Sequence, residues 1–244
     1  VLHGVIGDPG WSGDETLDPK RTLLTEVHQG SFADKIIVPA RNALPKPEAL
    51  SFAEGACMGT AWLTAYRMLF VKSELRPGQT MLVQGASGGV STALVQLGRA
   101  AGFRVWVTGR TGEKRAVAAE LGAHETFESN ARLPERVDAV FETVGKATWS
   151  HSMKSLKPGG VIVISGSTSG PDANAELNRL FFMQLRVVGS TMGTRDELAD
   201  LLKFCALTGL KPKIGAELPM DRAPEGFQSM LDGETAGKIV FTRV

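Results

Sequence analysis

Residues 80–102 read TMLVQGASGGVSTALVQLGRAAG, and the reading of this stretch decides the fold. Met81, Leu82 and Val83 form a short apolar run, and Gln84, Gly85, Ala86, Ser87, Gly88 and Gly89 form a turn of mostly small residues. From Val90 onward the apolar period changes, with Val90, Ala93, Leu94, Leu97 and Ala101 recurring at three- and four-residue steps. The pattern predicts strand, tight glycine turn, helix. A helix that leaves such a turn points its first backbone N–H groups at open space. Together with the helix dipole, those groups suit a phosphate.

Outward from this unit the alternation continues. Val105-Trp106-Val107 predicts a strand, residues 113–121 a helix closed by Gly122, and residues 125–127 and 137–141 two more strands. Lys157-Pro158-Gly159-Gly160 predicts a turn before an apolar run at 161–164, Val187-Val188 another strand, and residues 196–207 a helix. Strands apolar on both faces and joined by helices imply a parallel sheet covered on both sides. The fold class is α/β, a doubly wound parallel-sheet (Rossmann) nucleotide-binding domain, with its ligand at the carboxyl ends of the strands.

The flanks differ. Residues 7–20, GDPGWSGDETLDPK, predict a long loop, and residues 32–38, FADKIIV, a strand before Pro39, Pro45 and Pro47 break the chain. Ser51 and Glu54 form a capping box that opens a helix, with an interruption expected at Gly59. Residues 225–231 predict a helix and residues 237–241 a final strand that returns to the first piece. The expected domains are residues 1–51, residues 52–215 and residues 216–244.

The strict dinucleotide fingerprint is G-x-G-x-x-G. Here it reads Ala86-Ser87-Gly88-Gly89-Val90-Ser91, which keeps only the central glycine, where backbone approaches pyrophosphate. Some 20 residues on, an NAD enzyme places an acid on the ribose. This chain has Thr108, Gly109, Arg110 and Thr111 there, with Lys114 one turn further. Two cations and two hydroxyls suit a 2′-phosphate, so the expected cofactor is NADP(H). The missing acid also counts against an S-adenosylmethionine methyltransferase. Later strand ends, Thr143-Val144-Gly145 and Ser165-Gly166, have the small and hydroxyl-bearing residues of a ligand rim. Glu142 reads either as a functional carboxylate or as a cap.

Composition narrows the partners. The 244 residues carry a formal net charge of +1, so no broad field favours nucleic acid or an anionic membrane. The two cysteines, Cys57 and Cys205, form neither a CxxC nor a disulfide framework and read as buried thiols. No apolar run approaches the length of a membrane span and no signal peptide is visible, so a cytoplasmic protein is expected. The chain opens inside a strand-like run, VLHGVI, without methionine, which reads as an N-terminally incomplete sequence.

The order SFAEGACMGTAWLTAYRML, RPGQTMLVQGASGGVSTALVQLGRAAG, VTGRTGEKRAVAAELGA, VDAVFETVG, LKPGG and GKIVF resembles the medium-chain dehydrogenase/reductase superfamily, and within it the quinone oxidoreductase and enoyl reductase branch. That branch also favours A-x-G-G-V after the first strand. The resemblance implies that residues 1–51 are part of a GroES-like β domain, which residues 216–244 rejoin. It implies a homodimer and a small-molecule carbonyl or quinone substrate. It also implies that Lys238 lies near the cofactor, a role weighed against an ordinary surface lysine.

Some members of the superfamily are zinc alcohol dehydrogenases, with four closely spaced cysteines in a structural lobe. Residues 7–26 contain none. The helix position of one catalytic zinc ligand falls on Thr60, with Cys57 three residues away. No metal site is expected. Thr60, Thr64 and Tyr66 lie on the helix that the resemblance brings to the nicotinamide, and Tyr66 reads as core packing. The Tyr-x-x-x-Lys pair of short-chain reductases is absent because Phe70 stands four residues after Tyr66. No general acid is identified. The expected activity is zinc-independent hydride transfer from NADPH to a quinone, enone or related α,β-unsaturated carbonyl. The alternatives are a zinc-type alcohol dehydrogenase with ligands in a missing N-terminal segment and a non-catalytic NADPH-binding sensor.

Overall fold

The computed structural model describes residues 1–243 and divides into two compact units, one of residues Val1–Thr64 with Thr191–Val244 and one of residues Ala65–Ser190. Val244, the last residue of the expected C-terminal piece, lies outside the described residues. The units break inside the expected 52–215 domain at both ends. The capped helix start and residues 191–215 make their contacts in the first unit, because Leu63 packs on Gly193 and residues 58–62 pack on the helix at 195–208.

In the first unit, β1 (Val5–Ile6) and β2 (Thr22–Leu23) form an antiparallel pair. The capping box forms as expected: Ser51 Oγ accepts from Glu54 N at 3.1 Å, and Glu54 Oε2 accepts from Ser51 N at 2.6 Å. It starts α1 (Phe52–Ala56). Helical backbone continues through a π-helical turn, Met58–Trp62, into α2 (Leu63–Tyr66), and a second π segment, Arg67–Lys72, belongs to the second unit. The interruption at Gly59 is thus a widening of the helix, and a β-carbon there would lie 2.3 Å from the Leu2 carbonyl oxygen. Residues 32–38, expected as a strand, form none. Ile37 is almost fully exposed, so no burial favours an extended partner-paired conformation there.

The second unit carries the organising stretch. It contains β3 (Thr80–Gln84), α3 (Gly89–Ala100), β4 (Arg104–Gly109), α4 (Gly112–Glu120), β5 (Glu125–Glu128), β6 (Val137–Glu142), α5 (Trp149–Ser155), β7 (Leu156–Ile164), α6 (Leu177–Phe182) and β8 (Arg186–Gly189). Its six strands are all parallel in the order β5-β4-β3-β6-β7-β8. The order reverses beside β3, between β4 and β6, which is the switch point of a doubly wound sheet. Met81, Leu82 and Val83 are fully buried, and each contributes about 1.5–3 kcal/mol to folding. The core on one face gathers Leu82, Trp106, Val140, Met153, Leu156 and Ile162.

Lys157-Pro158-Gly159-Gly160 is not a separate turn. It is a bulge inside β7, where the register jumps from Val137↔Leu156 to Ala139↔Val161 and Gly159 takes φ +77°. A crossover helix between β5 and β6 is absent, and residues 129–136 cross through turns, bends and irregular backbone.

The chain then returns to the first unit through α7 (Arg195–Thr208), β9 (Ile214–Pro219), α8 (Ala223–Asp232) and β10 (Lys238–Thr242). The final strand pairs in parallel with β9 and lies in the same unit as residues 1–47. Among the described residues, no helix is long and apolar enough to cross a membrane.

Candidate nucleotide site at the strand ends

Four adjacent strands, β4, β3, β6 and β7, end in the residues that the sequence marks. The β3 end leads into Gly85, at φ +88°, and on through Ala86, Ser87 and Gly88. Gly88 is the N-cap of α3 with extended backbone, and no side chain caps that helix. The first-turn amides of a twelve-residue helix therefore remain for an external acceptor.

The lost glycines of the fingerprint have local explanations. Ala86 is buried, and a β-carbon at Gly109 would stand 2.9 Å from its methyl. A glycine at the neighbouring strand end thus makes room for the alanine at the first position. Close helix–strand packing, expected from the third glycine, occurs at Gly98 instead. A β-carbon there would be 2.6 Å from Met81 Sδ and 3.1 Å from Val105 Cγ2. Ser91 is buried in the turn, its Oγ near both Gly85 and Gly88.

At the β4 end, Arg110 is exposed and Lys114 is half-buried in the first turn of α4. Thr111 caps α4, its Oγ1 accepting from Lys114 N at 3.4 Å. Glu113 shares this turn, and hydrogen bonds from its own amide and from Thr111 hold its carboxyl below the ordinary carboxylate range. Thr108 departs from expectation. It is fully buried and donates to Gln84 Oε1 at 2.5 Å, so its hydroxyl does not face a ligand. Arg115, which the sequence reading passed over, donates to the Gly109 carbonyl at 2.9 Å and pairs with Glu128 at 3.6 Å.

The loops after β6 and β7 clasp each other. Thr168 N donates to Thr143 O at 3.2 Å, and Ser169 donates to Val144 O through its amide at 2.7 Å and its hydroxyl at 2.6 Å. Gly145, at φ +87°, is buried against residues 167–170, where a β-carbon would meet Gly170 O at 2.7 Å. Gly145 thus lets the two loops pack closely. Gly166 lies against Thr143, and Ser165 spends its hydroxyl on Met68 Sδ at 3.0 Å. Glu142 is a fully buried cap: its Oε1 accepts from Val144 N at 2.8 Å and Gly145 N at 3.1 Å. Val144 Cγ2 comes within 3.5 Å of the point a β-carbon on Gly85 would occupy, so the β3 and β6 turns are neighbours.

Thr60 and Lys238 belong to the first unit. Thr60 is exposed and lines a mainly apolar cavity of about 420 Å³ with Leu23, Leu24, Phe52 and Met192. Lys238 begins β10, within electrostatic reach of Cys57. Thr60 stands at, and Cys57 near, the helix position compared with a catalytic zinc ligand. Burial pushes the Cys57 thiol up to about 11, its Sγ donates to Ala53 O at 3.4 Å, and Thr60 offers only a hydroxyl. Among the described residues, no three His, Cys, Asp or Glu side chains are grouped to hold a metal ion.

Residues 89–206 match the family described as zinc-binding dehydrogenase. Quinone oxidoreductase of Mus musculus is 30% identical over 256 aligned residues, covering 98% of this chain and 77% of its own. An NAD-dependent alcohol dehydrogenase structure superimposes with a TM-score of 0.93 at 30% identity, covering all of this chain and 75% of that one. A crotonyl-CoA carboxylase/reductase in complex with NADP has a TM-score of 0.92 at 22% identity, with 99% and 70% coverage, a likeness of fold.

Proposed function

Because this chain belongs to the zinc-binding dehydrogenase family of medium-chain dehydrogenases/reductases, we propose that it transfers hydride from NADPH to a quinone, an enone or a related α,β-unsaturated carbonyl without zinc. The chain is an oxidoreductase. One observation carries the cofactor reading: an uncapped helix N-terminus stands beside a strand end that offers Arg110 and Lys114, with no acid directly after β4.

The bound nicotinamide cofactor supplies the hydride. The chain's own residues bind and orient. The first amides of α3 hold pyrophosphate, with Ser87, Gly88, Gly89 and Val90 lining the approach, and Ala86 shapes the turn beneath them. Arg110 offers forked donors to a 2′-phosphate and Lys114 adds a second charge. The clasped loops of Thr143, Val144 and Gly166 form the far rim. In the first unit, a part of a GroES-like domain, the Thr60 hydroxyl supplies a polar point in an apolar cavity suited to a carbonyl substrate. Lys238 adds positive charge in that unit. The donor set supports the zinc-free reading, since Thr60 stands where a thiolate would be needed.

The protein acts in the cytoplasm on a small molecule, not on nucleic acid or membrane, and forms a homodimer. The open edge of β8, with Val187 exposed and Leu177, Phe181 and Phe182 exposed on α6, supports a second copy as the occupant. Full-length protein is tested for NADPH oxidation across a panel of quinones and enones, with metal analysis on the same sample. Oxidation without stoichiometric zinc is the expected result. Activity lost together with zinc overturns the zinc-free reading, and tight NADPH binding without oxidation makes the protein a sensor.

A further inference from the structure

Each of the three turns assigned to the cofactor is preceded by a buried polar residue: Gln84 before Gly85, Thr108 before Gly109, and Glu142 before Thr143. Gln84 and Glu142 end β3 and β6, and Thr108 is the penultimate residue of β4, yet the three belong to one hydrogen-bonded chain. Thr108 Oγ1 donates to Gln84 Oε1 at 2.5 Å, Gln84 Nε2 donates to Ser152 Oγ at 2.9 Å, and Ser152 Oγ donates to Glu142 Oε2 at 2.7 Å. Two branches complete it. Gln84 Nε2 lies 2.9 Å from His151 Nδ1, whose ring reaches Ala131 O through Nε2 at 2.8 Å. Thr148 Oγ1 lies 3.0 Å and 2.9 Å from the two oxygens of Glu142.

The direction of every bond is consistent. A hydroxyl donates to the amide oxygen, the amide nitrogen donates onward, and the carboxylate accepts at the end. Two neighbours select this orientation of Gln84: reversed, its oxygen would face Ser152 Oγ, which donates to Glu142, and His151 Nδ1, which in a neutral ring accepts while Nε2 donates to Ala131 O. A single orientation of one buried amide thus ties the ends of β4, β3 and β6 together.

We propose that Gln84, Thr108, Ser152 and Glu142 are positioning residues that hold the pyrophosphate turn, the ribose-side strand end and the β6 turn in one fixed arrangement for the dinucleotide. The proposal rests on the nucleotide reading above. None of the four touches the cofactor. Their effect comes through the turn that follows each, so it falls on what NADPH and NADH share. A buried cluster of this kind is rigid when complete and costly when one partner is removed.

Thr108→Val is the decisive variant, since it keeps the shape and leaves Gln84 Oε1 without a donor. Binding of NADPH and of NADH is titrated for the wild type, T108V and T108S. T108V weakens the affinity of whichever nucleotide the wild type binds by about tenfold, and T108S restores it to within about twofold because the hydroxyl returns. Ile162→Val, a core change in β7 outside the cluster, lowers the melting temperature without moving nucleotide affinity. T108V with wild-type affinity and a lower melting temperature makes the cluster merely structural and overturns the proposal. If T108V does not fold, Ser152→Ala breaks the same chain and is judged by the same two readouts. Failure of the wild type to bind either nucleotide overturns the nucleotide reading itself, and this proposal with it.

Discussion

Gly109 faces Ala86 so closely that any β-carbon at 109 would stand 2.9 Å from the alanine methyl. The same β-carbon would lie 3.0 Å from Arg115 Cγ, so two side chains confine it. Gly109→Ala is expected to cost about 1–3 kcal/mol by overpacking. The double variant Ala86→Gly, Gly109→Ala recovers most of that loss, because one methyl replaces another. Urea unfolding of the single and double variants measures both.

Arg110→Glu separates the two nicotinamide cofactors. The loss of a charge-assisted contact to a 2′-phosphate is worth about 1.5–3 kcal/mol, so NADPH binding falls by about 10- to 100-fold. NADH binding changes little, since Arg110 is exposed and holds up no other part of the site. Fluorescence titration with both nucleotides reads the difference, and equal losses would show that Arg110 does not read the 2′-phosphate.

The cysteines give the protein an alkaline weakness. Burial pushes Cys57 up to about 11 and Cys205 up to about 12, from an ordinary value of 9.0. Between those values the unfolded chain has lost thiol protons that the folded chain keeps. Stability is therefore fully present below pH 9 and declines as pH rises through 11 and 12. Denaturant midpoints measured against pH show this slope, and Cys205→Ala flattens its upper part.

Gly59→Ala forces a methyl to within 2.3 Å of the Leu2 carbonyl oxygen, an approach that backbone on both sides must relieve. The expected loss is about 1–3 kcal/mol or more, read as a fall in the urea midpoint. The strand bridge between Leu2 and Ala43 is the first element displaced, and hydrogen exchange at the neighbouring amides rises with it.

The six-stranded unit was legible in the sequence because its signals are local. Apolar runs at 81–83, 137–141 and 161–164 become fully or largely buried strands, and the period change at Val90 marks the start of α3. What escaped the reading depends on distant partners. FADKIIV has strand-like composition, but without burial composition alone does not make a strand. The β7 bulge is visible only once β6 supplies a register. At the site, Thr108 has the right residue type and position, yet its hydroxyl turns inward to Gln84. The one signal that pointed to this was Gln84 itself, a polar residue closing an otherwise apolar run.

The central strand of the sheet has a consequence for how the molecule comes to exist. β3 takes one neighbour from the segment that follows it directly and the other from β6, and Thr80 N reaches Asp138 Oδ2 across 58 residues of chain. Neither neighbour alone makes the cleft, because its walls leave both sides of β3. Long-range pairing of this sort is slow to form, and a ligand that binds only the finished arrangement adds nothing to the early steps. On the proposed reading, a bound dinucleotide would act as a latch on the completed sheet: it would retard opening of the folded unit and leave the rate of its assembly as it was.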